Sequence, residues 1–193
     1  PPRSTPKPSS AESDVYKRQT QYLGFSLIEL MVVVVIIVAL FVAGNPHLSL
    51  LHDRQQRNTT VNSLFRDLAF ARTQALYLGV RVYLCPGSYW DRCAQTKQWE
   101  SGWFTFADYH KDRTPNQNEI LFYRNKLASA KIRIRFRSPN YLFFKKDGSA
   151  WPNGHFTVCL NSERVTPLAI IVYFSGRSRV SERAPDGRSI NCL

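Results

Sequence analysis

Gly24-Phe25-Ser26-Leu27-Ile28-Glu29-Leu30-Met31 runs directly into VVVVIIVALFVA, which ends at Ala43. Across residues 25–43 the one strongly polar side chain is Glu29. As a helix, this run spans about 28 Å at about 1.5 Å per residue, just enough to cross a bilayer's hydrocarbon. A lone carboxylate there is costly and normally has a partner. An ordinary membrane anchor gives Glu29 none. A secretory signal peptide also fits poorly, because Val42-Ala43-Gly44 is only a loose cleavage site.

Downstream, Gly44-Asn45-Pro46 predicts a kink or break, since proline removes a backbone donor and disfavours helix at Asn45. Helical periodicity returns over residues 48–78, with Val61, Leu64, Phe65, Leu68, Ala71, Ala75 and Leu76 on the apolar side. Gly79 is the expected stop. Beyond it, β-like runs alternate with turns at about residues 80–85, 99–106, 119–123, 131–137, 140–144, 155–160 and 168–174. Lys145-Lys146-Asp147-Gly148 and Trp151-Pro152-Asn153-Gly154 carry turn chemistry. The expected fold class is α+β, a long helix packed on antiparallel sheets.

Upstream, residues 1–19 are rich in Pro, Ser and charge without periodicity, and read as disordered. They are set aside from the fold as a candidate artefactual extension, because the sequence opens on Pro1.

The Gly-Phe-Ser-Leu-Ile-Glu-Leu stretch resembles the class III signal of type IV prepilins and type II secretion pseudopilins. That resemblance implies a leader over residues 1–24, cut by prepilin peptidase after Gly24, and N-methylation of the new terminal Phe25. It implies a transmembrane and filament-core helix over 25–44 and a periplasmic or extracellular globular domain over 45–193. Glu29, fifth in the mature chain, is then an assembly residue that meets the terminal amine of a neighbouring subunit. The partners implied are other pilin subunits, the peptidase and the inner membrane.

A second set of residues is similar to the FimT/GspH group of minor pilins. It comprises Arg57, Ala71-Arg72, the Gly79 to Cys85 entry to the first strand, Gly102-Trp103, Asp147-Gly148, Phe156 to Cys159, and Gly176-Arg177-Ser178-Arg179. Together these imply the type IV pilin-like fold.

Charge narrows the function classes. The chain of 193 residues carries a net +12. Residues 1–51 hold four basic and three acidic side chains, whereas residues 120–193 hold 13 and four. An acidic partner is expected for that C-terminal half, with nucleic acid, an anionic membrane surface and an acidic protein as the alternatives.

Gly176 permits close backbone approach, and Arg177 and Arg179, at i and i+2 on an extended chain, point the same way. Guanidinium forks suit adjacent phosphates. In FimT-type minor pilins a GRxR motif here is associated with DNA binding for natural transformation. The resemblance therefore implies Arg177 and Arg179 as first DNA contacts, supported by Arg183 and Arg188. Arg133, Arg135 and Arg137, with Lys131, alternate with Ile132, Ile134 and Phe136 on one strand face. Lys145 and Lys146 extend the patch. The alternative function is a GspH-like pseudopilin at a secretion pseudopilus tip, making protein contacts only.

Four cysteines in an exported domain suggest two disulfides, with three connectivities. Cys85–Cys93, around Trp90, and Cys159–Cys192, tying the tail to a strand, are favoured. No CxxC pair is present, and His47, His52, His110 and His155 are scattered, so no metal site or cofactor is expected. No catalytic constellation stands out, and an enzyme is not expected.

Overall fold

The computed structural model describes residues 24–87, 93, 95–115, 119–125, 131–136, 140–162 and 164–192, with side chains undescribed at 43–47 and 123–125. The leader through residue 23, Trp90 and Arg137 lie outside the described residues. The chain divides into two compact units, Pro1–Asn45 and Pro46–Leu193.

A helix, α1 (Leu27–Leu78), contributes to both units. In the first, the Leu30 N–H donates to Ser26 O at 3.1 Å. Glu29 occupies the first turn, where the unpaired amides of a helix start favour a carboxylate. Large apolar side chains from Phe25 through Val42 are exposed. A helix this apolar all round requires cover. Among the described residues no helix is long and apolar enough to cross a membrane. The apolar stretch with described side chains, 27–42, spans only about 24 Å at about 1.5 Å per residue. The backbone is helical through Pro46, so of the kink or break that the sequence predicts the break does not form. Proline removes one intrahelical bond, and long flanking helical segments maintain the others.

In the second unit α1 buries Val61, Leu64, Leu68, Ala71 and Ala75, spaced by threes and fours so that one stripe faces the core. Gly79 ends the helix with φ +68°, and its N–H donates to Ala75 O at 3.1 Å. Among the described residues nine strands follow: β1 (Arg81–Pro86), β2 (Trp103–Asp108), β3 (Leu121–Asn125), β4 (Ile132–Phe136), β5 (Leu142–Phe144), β6 (Ala150–Trp151), β7 (Gly154–Leu160), β8 (Leu168–Val172) and β9 (Ser178–Ser181). They form one sheet in the order β3-β2-β1-β5-β6 and a second in the order β4-β7-β8-β9, both antiparallel.

The first sheet is buried on both faces. Val82, Leu84, Trp103, Leu142 and Phe144 join the helix stripe in the main core. Tyr83, Cys85, Phe104, Phe106 and Phe143, one residue out of phase, form a second aromatic core. Trp99, expected to begin a strand, instead stands outside β2 as a fully buried plug against Phe136 and Phe156. The Trp103 indole donates to buried Asp67 at 2.6 Å. Cys85 is bonded to Cys93 and Cys159 to Cys192.

Candidate functional site

β8 and β9 form a hairpin, and Gly-Arg-Ser-Arg lies at its turn and second strand. The Tyr173 N–H donates to Arg177 O, and the Gly176 N–H to Tyr173 O, both at 2.9 Å. Gly176 has φ +75°, and a Cβ there would fall 1.9 Å from Gly148 O. Only glycine fits. The sequence suggests that this glycine lets the chain's own backbone come close to a phosphate, whereas here the group it meets is Gly148 O and it is buried against the β5–β6 turn.

That turn is itself closed by the Lys145 N–H donating to Ser149 O at 2.8 Å. The Ser149 hydroxyl and amide both donate to Asp147 Oδ1, and these bonds hold its carboxyl below the ordinary aspartate value. Arg72 of α1 locks the two turns together. Its Nε donates to Gly148 O at 3.0 Å and its Nη2 to Ser175 O at 3.2 Å. Arg57 does comparable work further along the helix, donating to the carbonyl and hydroxyl of Thr166 before β8. Burial, with Arg54 nearby, lowers its guanidinium pKa from the ordinary value. Both helix arginines therefore dock α1 onto the second sheet's loops.

Arg177 and Arg179 are exposed on this fixed hairpin. Arg179 Nε donates to the Tyr173 hydroxyl at 2.6 Å, which restricts the side chain without covering it. The Lys145 ammonium lies 5.4 Å from the Phe174 ring centroid, and Lys146 is exposed on the same turn. The Gly148–Gly176 contact therefore gathers Arg177, Arg179, Lys145 and Lys146 on two abutting turns. Tyr173 was missed by sequence reading, because a tyrosine in an apolar strand gives no sign of a partner six residues on.

The strand arginines stand apart. Arg135 pairs with Thr157, Thr157 with Ala169, and Ala169 with Ser181, while Ile171 pairs with Arg179. Register thus sets Arg133, Arg135 and Arg179 on the outward face of the second sheet, but at opposite edges, about 14 Å apart across three strand spacings. Between them the outward residues Ala169 and Ile171 are buried. His155, Ile171 and Tyr173 line a pocket closed by Ala184, Pro185 and Asp186, and Cys192 is bonded to outward-facing Cys159.

The tail is therefore a strap across the sheet. Its own turn is closed by the Ala184 N–H donating to Arg188 O at 3.0 Å. Arg183 and Arg188 are exposed on it. Arg183 donates to Gly187 O at 3.2 Å, and Arg188 pairs with Asp186 at 3.5 Å, which offsets part of its charge.

The family model described as Type II transport protein GspH matches residues 60–176. No sequence among the curated proteins matches the chain. Among solved structures, the type IV minor pilin FimU of Pseudomonas aeruginosa is similar at TM-score 0.54 and 16% identity, covering 69% of this chain and 96% of that one. A second crystal form of FimU gives 0.51 and 15%, covering 67% and 98%. The minor pseudopilin EpsH of the Vibrio cholerae type 2 secretion system gives 0.48 and 13%, covering 67% and 98%. At these identities the FimU likeness establishes the α+β pilin-like fold.

Proposed function

The chain belongs to the GspH family of minor pilins and pseudopilins, structural subunits that assemble with other pilin subunits into pili or pseudopili, and within that family we propose that it binds DNA non-specifically for uptake in natural transformation. The observation that carries this reading is the pair Arg177 and Arg179, exposed on a hairpin that Gly176, Arg72 and Tyr173 hold in one conformation. Fixing an arginine before contact reduces the ordering cost of gripping a phosphate. Lys145 and Lys146 on the abutting turn extend the positive surface, and the C-terminal half carries most of the chain's surplus charge. Contacts to phosphate alone carry no sequence preference.

At the other end, prepilin peptidase cuts after Gly24, Phe25 is methylated, and residues 25–44 anchor the subunit in the inner membrane before assembly. The exposed apolar side chains of α1 support this, because membrane or neighbouring subunits would cover them. Glu29 then meets the free amine of a neighbour, pairing two charges otherwise stranded in apolar surroundings.

The second reading is a GspH-like pseudopilin with a structural role at a secretion pseudopilus tip. The description of the matching family model favours it. A gel-shift assay of the whole chain in detergent separates the two. Retardation of duplex DNA at 0.15 M salt, lost in Arg177→Gln with Arg179→Gln while the circular dichroism spectrum is kept, supports the first. Absence of retardation supports the second.

A further inference from the structure

Three acids meet where β2 gives way to β3. Asp108 closes β2, Asp112 lies in the connection, and Glu119 stands just before β3. One carboxylate oxygen from each lies within 4.8 Å of the others. Asp108 is 1% exposed, and neither of its oxygens has a hydrogen-bond partner among the described residues. Glu119 is 8% exposed. Its Oε1 accepts from the Tyr109 N–H at 3.1 Å and the His110 N–H at 3.5 Å, and lies 3.3 Å from His110 Nδ1. Its Oε2 has no partner among the described residues. Exposed Asp112 accepts from the Thr114 N–H at 2.9 Å.

Of the nearby cations, Lys111, Lys145 and Lys146 line a pocket with Asp108 and Arg81. Arg81, the register partner of Asp108, lies 5.2 Å over the Phe143 ring, and Arg113 lies 5.8 Å over Tyr141 and donates to its hydroxyl at 3.1 Å. Two buried carboxylates beside a third repel one another and have lost their water. The fold also holds Lys111 at φ 62° and Arg113 at φ 61°, left-handed conformations that cost a non-glycine residue energy and bring Asp112 back toward the other two.

We infer that Asp108, Asp112 and Glu119 form a calcium site that fastens the β2–β3 connection. The donors are all hard oxygens, which select Ca²⁺ or Mg²⁺ over softer metals. The three oxygens lie within 4.8 Å of one another, close enough to share one ion, and the flexible coordination of Ca²⁺ tolerates an irregular trio better than the strict octahedron of Mg²⁺. The acids hold the first, fifth and twelfth places of the segment starting at Asp108, and positive φ falls at the sixth, Arg113. One, five and twelve are three of the six ligand places in the twelve-residue calcium loop, whose third place is His110 here and whose glycine at six is Arg113. Charge patterning hid this site, because its acids are separated by basic residues in a basic chain. It stands independently of any DNA contact.

The test is calorimetric titration of the whole chain in detergent, dialysed against EDTA, with CaCl₂ and separately MgCl₂. The expected result is one Ca²⁺ per chain with Kd on the order of 10⁻⁵–10⁻³ M and Mg²⁺ at least about tenfold weaker. At 10 mM, Ca²⁺ should raise Tm by about 5–10 °C. Asp108→Asn should abolish both effects, and Asp112→Asn, at an exposed position that tolerates the change, should weaken binding at least about tenfold. No heat and no Tm shift up to 10 mM Ca²⁺ overturns the inference, as does binding unchanged in Asp112→Asn. So does an Asp108→Asn chain that melts higher than the parent in EDTA while Ca²⁺ affects neither.

Discussion

Arg179 on β9 and Arg133 with Arg135 on β4 share one outward face and one charge, at opposite edges of the same sheet. The β4 edge is closed. The Trp99 N–H donates to Ile134 O at 2.9 Å and the Phe136 N–H to Lys97 O at 3.1 Å, so residues 97–99 cover it. Arg133 is engaged by Asn161 at 3.2 Å, and Arg135 is half-buried with its Nε unpartnered among the described residues. Among the described residues no strand pairs with the other edge of β9, and its arginines stand on a hairpin braced from behind by Arg72. Equal charge in sequence thus becomes unequal availability in structure. The strap ending at Cys192 covers part of the face between the two groups.

Releasing that strap should have the largest effect. Cys159→Ser with Cys192→Ser removes a link across 33 residues and should cost about 3–4 kcal/mol in urea unfolding. Gly176→Ala should follow, at about 2–4 kcal/mol, because a left-handed backbone and a 1.9 Å clash with Gly148 O add together. It should also weaken DNA binding, although no charge is removed. Arg177→Gln with Arg179→Gln should lower DNA affinity about 30-fold at 0.15 M salt, the worth of two released counterions. Arg133→Gln with Arg135→Gln should lower it at most about threefold by the same titration, since Arg133 is held by Asn161 and Arg135 is half-buried. A larger loss from the β4 pair than from the hairpin pair would reverse the comparison.

Part of this was legible in the sequence. The helix stripe from Val61 to Ala75 is periodic, and periodicity survives folding because burial follows it. β9 was not legible. Its residues, SRVS, are short and polar, and they become a strand because β8 offers an unpaired edge and Gly176 turns the chain back. Trp99 was misread because aromatic residues flank a turn at Gly102, so one continuous strand and a plug followed by a strand look alike. The role of Gly176 was misread in kind, since close approach is visible in a glycine but the group that approaches is not. Nor could alternation on β4 reveal which arginines Asn161 and the neighbouring segment would occupy.

The most direct measurement is duplex DNA affinity of the whole chain in detergent across a salt series, for the parent and for Arg177→Gln with Arg179→Gln. Four to six phosphate contacts predict a log–log slope of roughly −3.5 to −5.5 for the parent, shallower by about 1.8 in the double variant. Equal slopes and equal affinities for the two proteins would contradict the assignment of DNA binding to the hairpin.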